Sequence, residues 1–213
     1  MSASLLKFQI GPVQEFIEQA RSTRDLWSGS YLLSWLVAAG IKALPKDATL
    51  VFPSRERQPL LADPIKPDAD DILIPNLPNV FIASIPSDAA DAAKETEKAI
   101  RAEWLAIAEA VWKQRDKIGL RAETKDRFDA QVQRHLTISW QATELTGDYA
   151  DAYRHNGWHL DAVRQTRDFS AWSSGGWETT GCEKDSLSGR EEAVVGGKEW
   201  QESLTSEYAH LFK

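Results

Sequence analysis

The sequence predicts an α+β fold: a four-stranded antiparallel sheet covered by two helices in the ferredoxin-like order βαββαβ, followed by an incomplete helical or irregular extension. Two observations carry this. Short apolar or alternating runs that read as strands recur at "LLKFQI", "ATLVFPS", "NVFIASIP" and "HLTISW". Between the first and second runs, and between the third and fourth, lie longer segments whose apolar residues repeat at helical spacing. With 213 residues, 42% of them hydrophobic and nine of them tryptophan, the chain can fill a core of that size.

Each element has its own signals. The first strand covers Leu5 to Ile10, and "GP" then turns the chain with Pro12 at a first helical position. Val13, Phe16, Ile17, Ala20 and Trp27 share one helical face, a break falls at Ser28 and Gly29, and the pattern resumes with Leu32, Leu33, Leu36 and Ala39. Gly40 and Pro45 close that helix. After the second strand, "RERQPLLADPIKPDADDILIPNLP" is proline-rich and acidic and reads as an irregular excursion. Ser87 is placed to cap a long helix from about Asp88 to Ile118, striped by Ile100, Trp104, Ile107, Ala108, Val111 and Trp112 and stopped by Gly119. The alternation from His135 to Trp140 gives the fourth strand. From Gly147 the sequence turns polar, Trp-rich and Gly-rich, which sets a boundary between a first domain, 1–146, and a second region, 147–213.

Composition narrows the function. A formal charge of -7 argues against a protein that coats DNA or RNA unaided, because neutralising phosphates takes a clustered basic surface. The single cysteine, Cys182, forms no internal disulfide and fits a cytoplasmic protein. "MSASLLKFQIGPV" does not read as a signal sequence, and the longest apolar run, Tyr31 to Ala39, is too short to span a membrane, so no membrane partner is expected.

The stretch "QARSTRDLWSGSYLLSWLVAAG" holds the strongest candidate site. A break at "WSGS" would expose backbone N–H groups that, with Ser28 or Ser30, meet a phosphate or the polar edge of a nucleotide. Gly29 would permit close approach, and Arg21 and Arg24, about one turn apart, would bring positive charge. The competing reading is packing: Gly29 and Ser30 admit a neighbouring element, Arg24 pairs with Asp25, and Trp27 and Tyr31 are core.

"FQIGPVQEFIEQARSTRDLWSGSYLLSWL", "IPNLPNVFIA", "FDAQVQRHLTISW" and "EKDSLSGRE", in this order, resemble the successive signatures of the large Palm-domain subunit of type III-B (Cmr) CRISPR effector complexes. The resemblance runs to about residue 195. It implies a first Palm domain beginning directly at the N-terminus, then the start of a helical, degenerate zinc-finger-like middle region. Family members also carry an HD nuclease domain and a second Palm with a GGDD motif, and this sequence has neither. In the family, ATP binds between the two Palms, and the GGDD carboxylates hold the metal ions that drive cyclic oligoadenylate synthesis when target RNA is bound. The matching element here, "FQIGPVQ", offers Gln9 and Gln14 but no acid, so this Palm is expected to bind rather than catalyse. The resemblance thus implies a weak, shared ATP site with Mg and a nucleotide-facing role for Gly29, Ser30 and Tyr31. It also implies partners: other subunits of the complex, above all the RAMP-type subunit holding the 5′ tag of the CRISPR RNA, and a GGDD-bearing second Palm. CRISPR RNA and target RNA would be met indirectly.

Two alternatives stand beside this. One is a stand-alone or split binding module that occupies the same docking surface without nucleotide. The other is a self-sufficient nucleotidyltransferase using Glu15 and the acids of "DADD", Asp68 to Asp71. The remaining signals are weaker. His155 and His159 stand four apart as two metal ligands on one helix would, but with Cys182 alone they do not complete a zinc site. "KDSLSG" stands where family members have zinc cysteines, so a hydrogen-bonded turn is expected in place of zinc. Arg55 and Arg57 flank Glu56 as a surface charge cluster. No Ser/His/Asp or Cys/His arrangement is assignable.

Overall fold

Alternation along the first strand sets the architecture. In β1 (Ser4–Gly11), Leu6, Phe8 and Ile10 are fully buried, while Lys7 and Gln9 point to the opposite face. The computed structural model describes residues 3–69, 71–86, 88–120, 122–166, 191, 193 and 194. Its elements are β1, α1 (Gln14–Glu18), α2 (Thr23–Lys42), β2 (Thr49–Phe52), β3 (Val80–Ile85), α3 (Ala89–Lys113), α4 (Arg115–Ile118), α5 (Lys125–His135), β4 (Thr137–Glu144) and α6 (Tyr149–Gln165). The strands form one sheet in the order β2-β3-β1-β4, every pair antiparallel, so the fold is α+β.

The chain divides into two compact units, residues 1–103 with 136–168 and residues 104–135 with 169–213. In the first, Leu6 lies opposite both Ala83 and Ala142, and Phe8 opposite both Phe81 and Trp140. The Phe8 and Phe81 rings stack at 5.0 Å. Ile85, Ala89, Ala92 and Ala93 extend this core from the end of β3 into α3. α2 buries Leu33, Leu36, Val37 and Ile41, and at Gly40 it comes so close to α3 that an added Cβ would stand 2.7 Å from Ile100 Cδ1. Glycine is therefore a packing requirement of the α2–α3 crossing.

The excursion between β2 and β3 is irregular, as its prolines predict, yet it belongs to the core. Leu60, Leu61, Ile72 and Leu77 are buried, and Leu77 O accepts a 3.0 Å hydrogen bond from the buried Ser34 hydroxyl. On the opposite face of the sheet, α6 packs on β4 and β1. Asn156, fully buried, drives its amide NH2 into both strands, donating to Leu5 O at 2.8 Å and Gln141 O at 3.0 Å. The boundary expected at Gly147 thus falls between two elements of one unit. The polar sequence of α6 reflects its solvent side, and Ala152, Asn156 and Leu160 supply the buried side.

In the second unit, Trp112 packs on Phe128 at 5.2 Å and Trp104 Nε1 donates to Val132 O at 2.8 Å. α5 is a helix the sequence does not predict; it fills residues expected to lead into the fourth strand, so that strand begins at Thr137 rather than His135. The long helix ends at Lys113, five residues early, and the single turn α4 continues to Gly119, which caps it at φ 74° as the sequence predicts. At the start of α3, Asp88 Oδ1 accepts from the N–H groups of Ala90 and Asp91. The predicted cap Ser87, with Cys182 and "KDSLSG", lies outside the described residues.

Two substitutions test these contacts. Gly40→Val is expected to destabilise the chain by about 1–3 kcal/mol through overpacking against Ile100, and to cost less in an Ile100→Ala background; urea titration of the double-mutant cycle reads both numbers. Asn156→Leu keeps the branching and heavy-atom count but removes the donors to β1 and β4, and is expected to cost about 1–3 kcal/mol in the same assay.

Candidate functional site

The helix interruption lies earlier than the sequence suggested. α1 ends at Glu18, and α2 starts after Ser22, whose extended backbone and hydroxyl cap it by accepting from Asp25 N at 3.2 Å. Asp25 in turn accepts from Arg21 N at 3.1 Å. From Thr23 onward the helix is continuous through Ser28, Gly29 and Ser30, correcting the expected break at "WSGS". Backbone N–H groups at 28–30 are therefore committed to carbonyls four residues back. The physical reason for Gly29 is a neighbour: an added Cβ would stand 3.2 Å from Phe16 Cδ1 in α1. Ser30 turns its hydroxyl back onto Leu26 O at 2.9 Å.

The helix gathers some of the predicted residues and separates others. Arg24, Ser28 and Tyr31 recur at helical spacing on one stripe, joined by Trp27 and Trp35. Trp27 and Tyr31 stack at 5.3 Å, and Tyr31 tilts against Trp35 at 6.4 Å. Trp27 Nε1 donates to Leu73 O at 2.9 Å and Trp35 Nε1 to Glu103 Oε1 at 2.6 Å, which fixes both indoles. Gly29 and Ser30 lie off this stripe. Arg21 precedes the helix and pairs with Asp25 at 3.8 Å, where Arg24 had been expected as the partner. The first-turn N–H groups of α2 share their site with the Asp25 carboxylate, which disfavours a phosphate there. Of the predicted residues, the stripe presents the exposed Arg24 and Ser28 and the half-buried Tyr31.

The other candidates stay apart. Asp68 and Asp71 are exposed in the excursion. His155 and His159 lie on the exposed side of α6, where His155 tilts against Trp158 at 5.5 Å. Arg55, Glu56 and Arg57 are exposed after β2. Among the described residues no three His, Cys, Asp or Glu side chains gather as metal ligands, and no helix is long and apolar enough to cross a membrane.

Sequence reasoning missed a groove of about 420 Å³ on the sheet face that α6 partly covers. Lys7, Gln9, Val80 and Ile82 form its floor, Tyr153, Leu160 and Arg164 one wall, and Val51 and Phe52 the other. Lys7 Nζ lies 5.7 Å over the Tyr153 ring. The sequence signal was present in "LLKFQI", where Lys7 and Gln9 alternate with the buried Leu6, Phe8 and Ile10.

An α+β domain whose first long helix carries an arginine and aromatic stripe is the class this geometry defines. Residues 5–109 match the family described as CRISPR-associated protein Cmr2, N-terminal, and through that segment, about half of its length, the chain belongs to that family. It is also 33% identical over 103 residues to the CRISPR system Cmr subunit Cmr2 of Pyrococcus furiosus, covering 45% of this chain and 12% of that protein. The match includes β1, α2, β2 and β3, and with them every residue of the candidate stripe.

Gly29 and Ser30 are separable by stability. Gly29→Leu is expected to lower the melting temperature by several degrees through its clash with Phe16, whereas Ser30→Ala, which removes only a hydroxyl bonded within its own helix, is expected to change stability by less than about 0.5 kcal/mol. Thermal melts followed by circular dichroism check both.

Proposed function

We propose that this chain is the first, non-catalytic Palm portion of a type III-B CRISPR large subunit, acting in antiviral defence from the cytoplasm. It contributes half of a composite ATP site for cyclic oligoadenylate synthesis and a docking surface for the effector complex. The observation that carries this reading is the family match over residues 5–109. The strand order β2-β3-β1-β4, with helical connections from β1 to β2 and from β3 to β4, supports a ferredoxin-like Palm. Because the chain spans only 12% of the Pyrococcus furiosus relative, activity and partners belong to the proposal.

On this reading the chemistry is shared. β1 and its following turn present Lys7, Gln9 and Gln14 and no carboxylate, so Mg is held by a GGDD-bearing second Palm and this chain orients the nucleotide. Arg24 supplies charge, Ser28 a polar edge, Tyr31 a ring, and Gly29 the tight α1–α2 contact that positions them. Zinc is not expected in this chain. The partners are the RAMP-type subunit holding the 5′ tag, the second Palm, and through them CRISPR RNA and target RNA. A second reading, a docking module that binds no nucleotide, is favoured by one observation: α2 runs unbroken through Ser28–Ser30 with Asp25 at its first turn, leaving few donors for phosphate.

ATP calorimetry on the chain paired with a GGDD-bearing Palm distinguishes the two. Arg24→Ala with Tyr31→Ala is expected to weaken ATP binding at least tenfold while the pair still assembles. Unchanged affinity would leave the docking module as the better account. The chain alone, incubated with ATP and Mg or Mn, is expected to make no oligoadenylate by chromatography.

A further inference from the structure

The groove on the α6 side of the sheet has two properties that point to an occupant. The first is its wall. Leu50 lies opposite Ala83 and Phe52 opposite Ile82, so Val51 is an extra residue, a bulge in β2. A regular strand would send Val51 and Phe52 to opposite faces; the bulge turns both to the groove, where they remain 43% and 47% exposed.

The second is charge. Lys7 is half-buried on the groove floor, and among the described residues its only specific partner is the Tyr153 ring. Among the described residues no carboxylate pairs with it. Asp161, the one acid in the lining, is already paired with Arg164 at 3.3 Å. A half-buried ammonium without a counter-charge favours an incoming anion, and Val80, Ile82, Leu160, Val51 and Phe52 around it favour apolar side chains. The alternative of RNA lying on the sheet is opposed by the same rows. Base stacking on the two central strands needs aromatic rings there, and Phe8 and Phe81 both face the core while Lys7, Gln9, Val80 and Ile82 face the groove.

We infer that this groove is a docking site for an extended, acidic and apolar segment of a partner protein, which lies along the groove, seats an apolar side chain against Phe52 and Ile82, and sets a carboxylate on Lys7. The inference stands on β1, β2, β3 and α6 and does not depend on nucleotide binding at α2.

The test is a backbone NMR titration of the full 213-residue chain with blocked five-residue peptides. The probe has the order acidic, Val, Phe, Val, acidic, and its control carries lysines in place of the acids. The acidic peptide is expected to move the amides of Lys7, Val51, Phe52, Ile82 and Leu160 and to bind at least fivefold more tightly than the control. Lys7→Met, which keeps the apolar stem, is expected to abolish that preference with the spectrum of the fold retained. Equal binding of the two peptides, no movement at these amides up to millimolar peptide, or displacement of the peptide by ATP or by an oligoribonucleotide at the same amides would each overturn the proposal.

Discussion

β1 is hydrogen-bonded along both of its edges, to β3 on one side and β4 on the other, and its two-residue period decides what each face of the sheet can be. A shift of one residue would bring Lys7 and Gln9 under the helices and expel Leu6, Phe8 and Ile10. The register is held from both faces. On one, Phe8 is stacked on Phe81. On the other, Asn156 bridges Leu5 and Gln141 from above and ties α6 to the same two strands. Because an amide inserted between strands must find both carbonyls at hydrogen-bonding distance, Asn156 senses register where an apolar residue would only fill space.

Much of the fold was legible because its signals are local. The four strands, the two covering helices and the left-handed Gly119 follow from alternation, helical spacing and a cap residue. What escaped was set by contacts distant in sequence. α5 has few apolar residues to give it a stripe, and its helix depends on Phe128 meeting Trp112. The excursion between β2 and β3 looks like a solvated loop until Ser34 and Trp27 of α2 claim Leu77 and Leu73 as acceptors.

The candidate site shows the same division. Serines and glycine in "WSGS" signal an interruption to a reader of propensities, yet the glycine answers to Phe16, one serine to Leu26, and the true helix start is fixed by Ser22 and Asp25. The Arg24 and Tyr31 stripe could be read from spacing alone. The groove floor is written in the alternation of Lys7 and Gln9, but its wall is not, because it arises from a bulge, which pairing with β3 creates and no run of residue types announces.

The central place of β1 also has a consequence for how the chain acquires its structure. The strand made first is completed last: Ser4 waits for Ile85 on one side and for Glu144 on the other. At about 5–20 residues per second, synthesis leaves β1 without β4 for several seconds after β3 has emerged. During that interval the edge that β4 will cover is an open, partly apolar template, and loop closure over so long a span is slow. Of the four strands of this sheet, β1 is thus the one left longest with an open edge still to be paired.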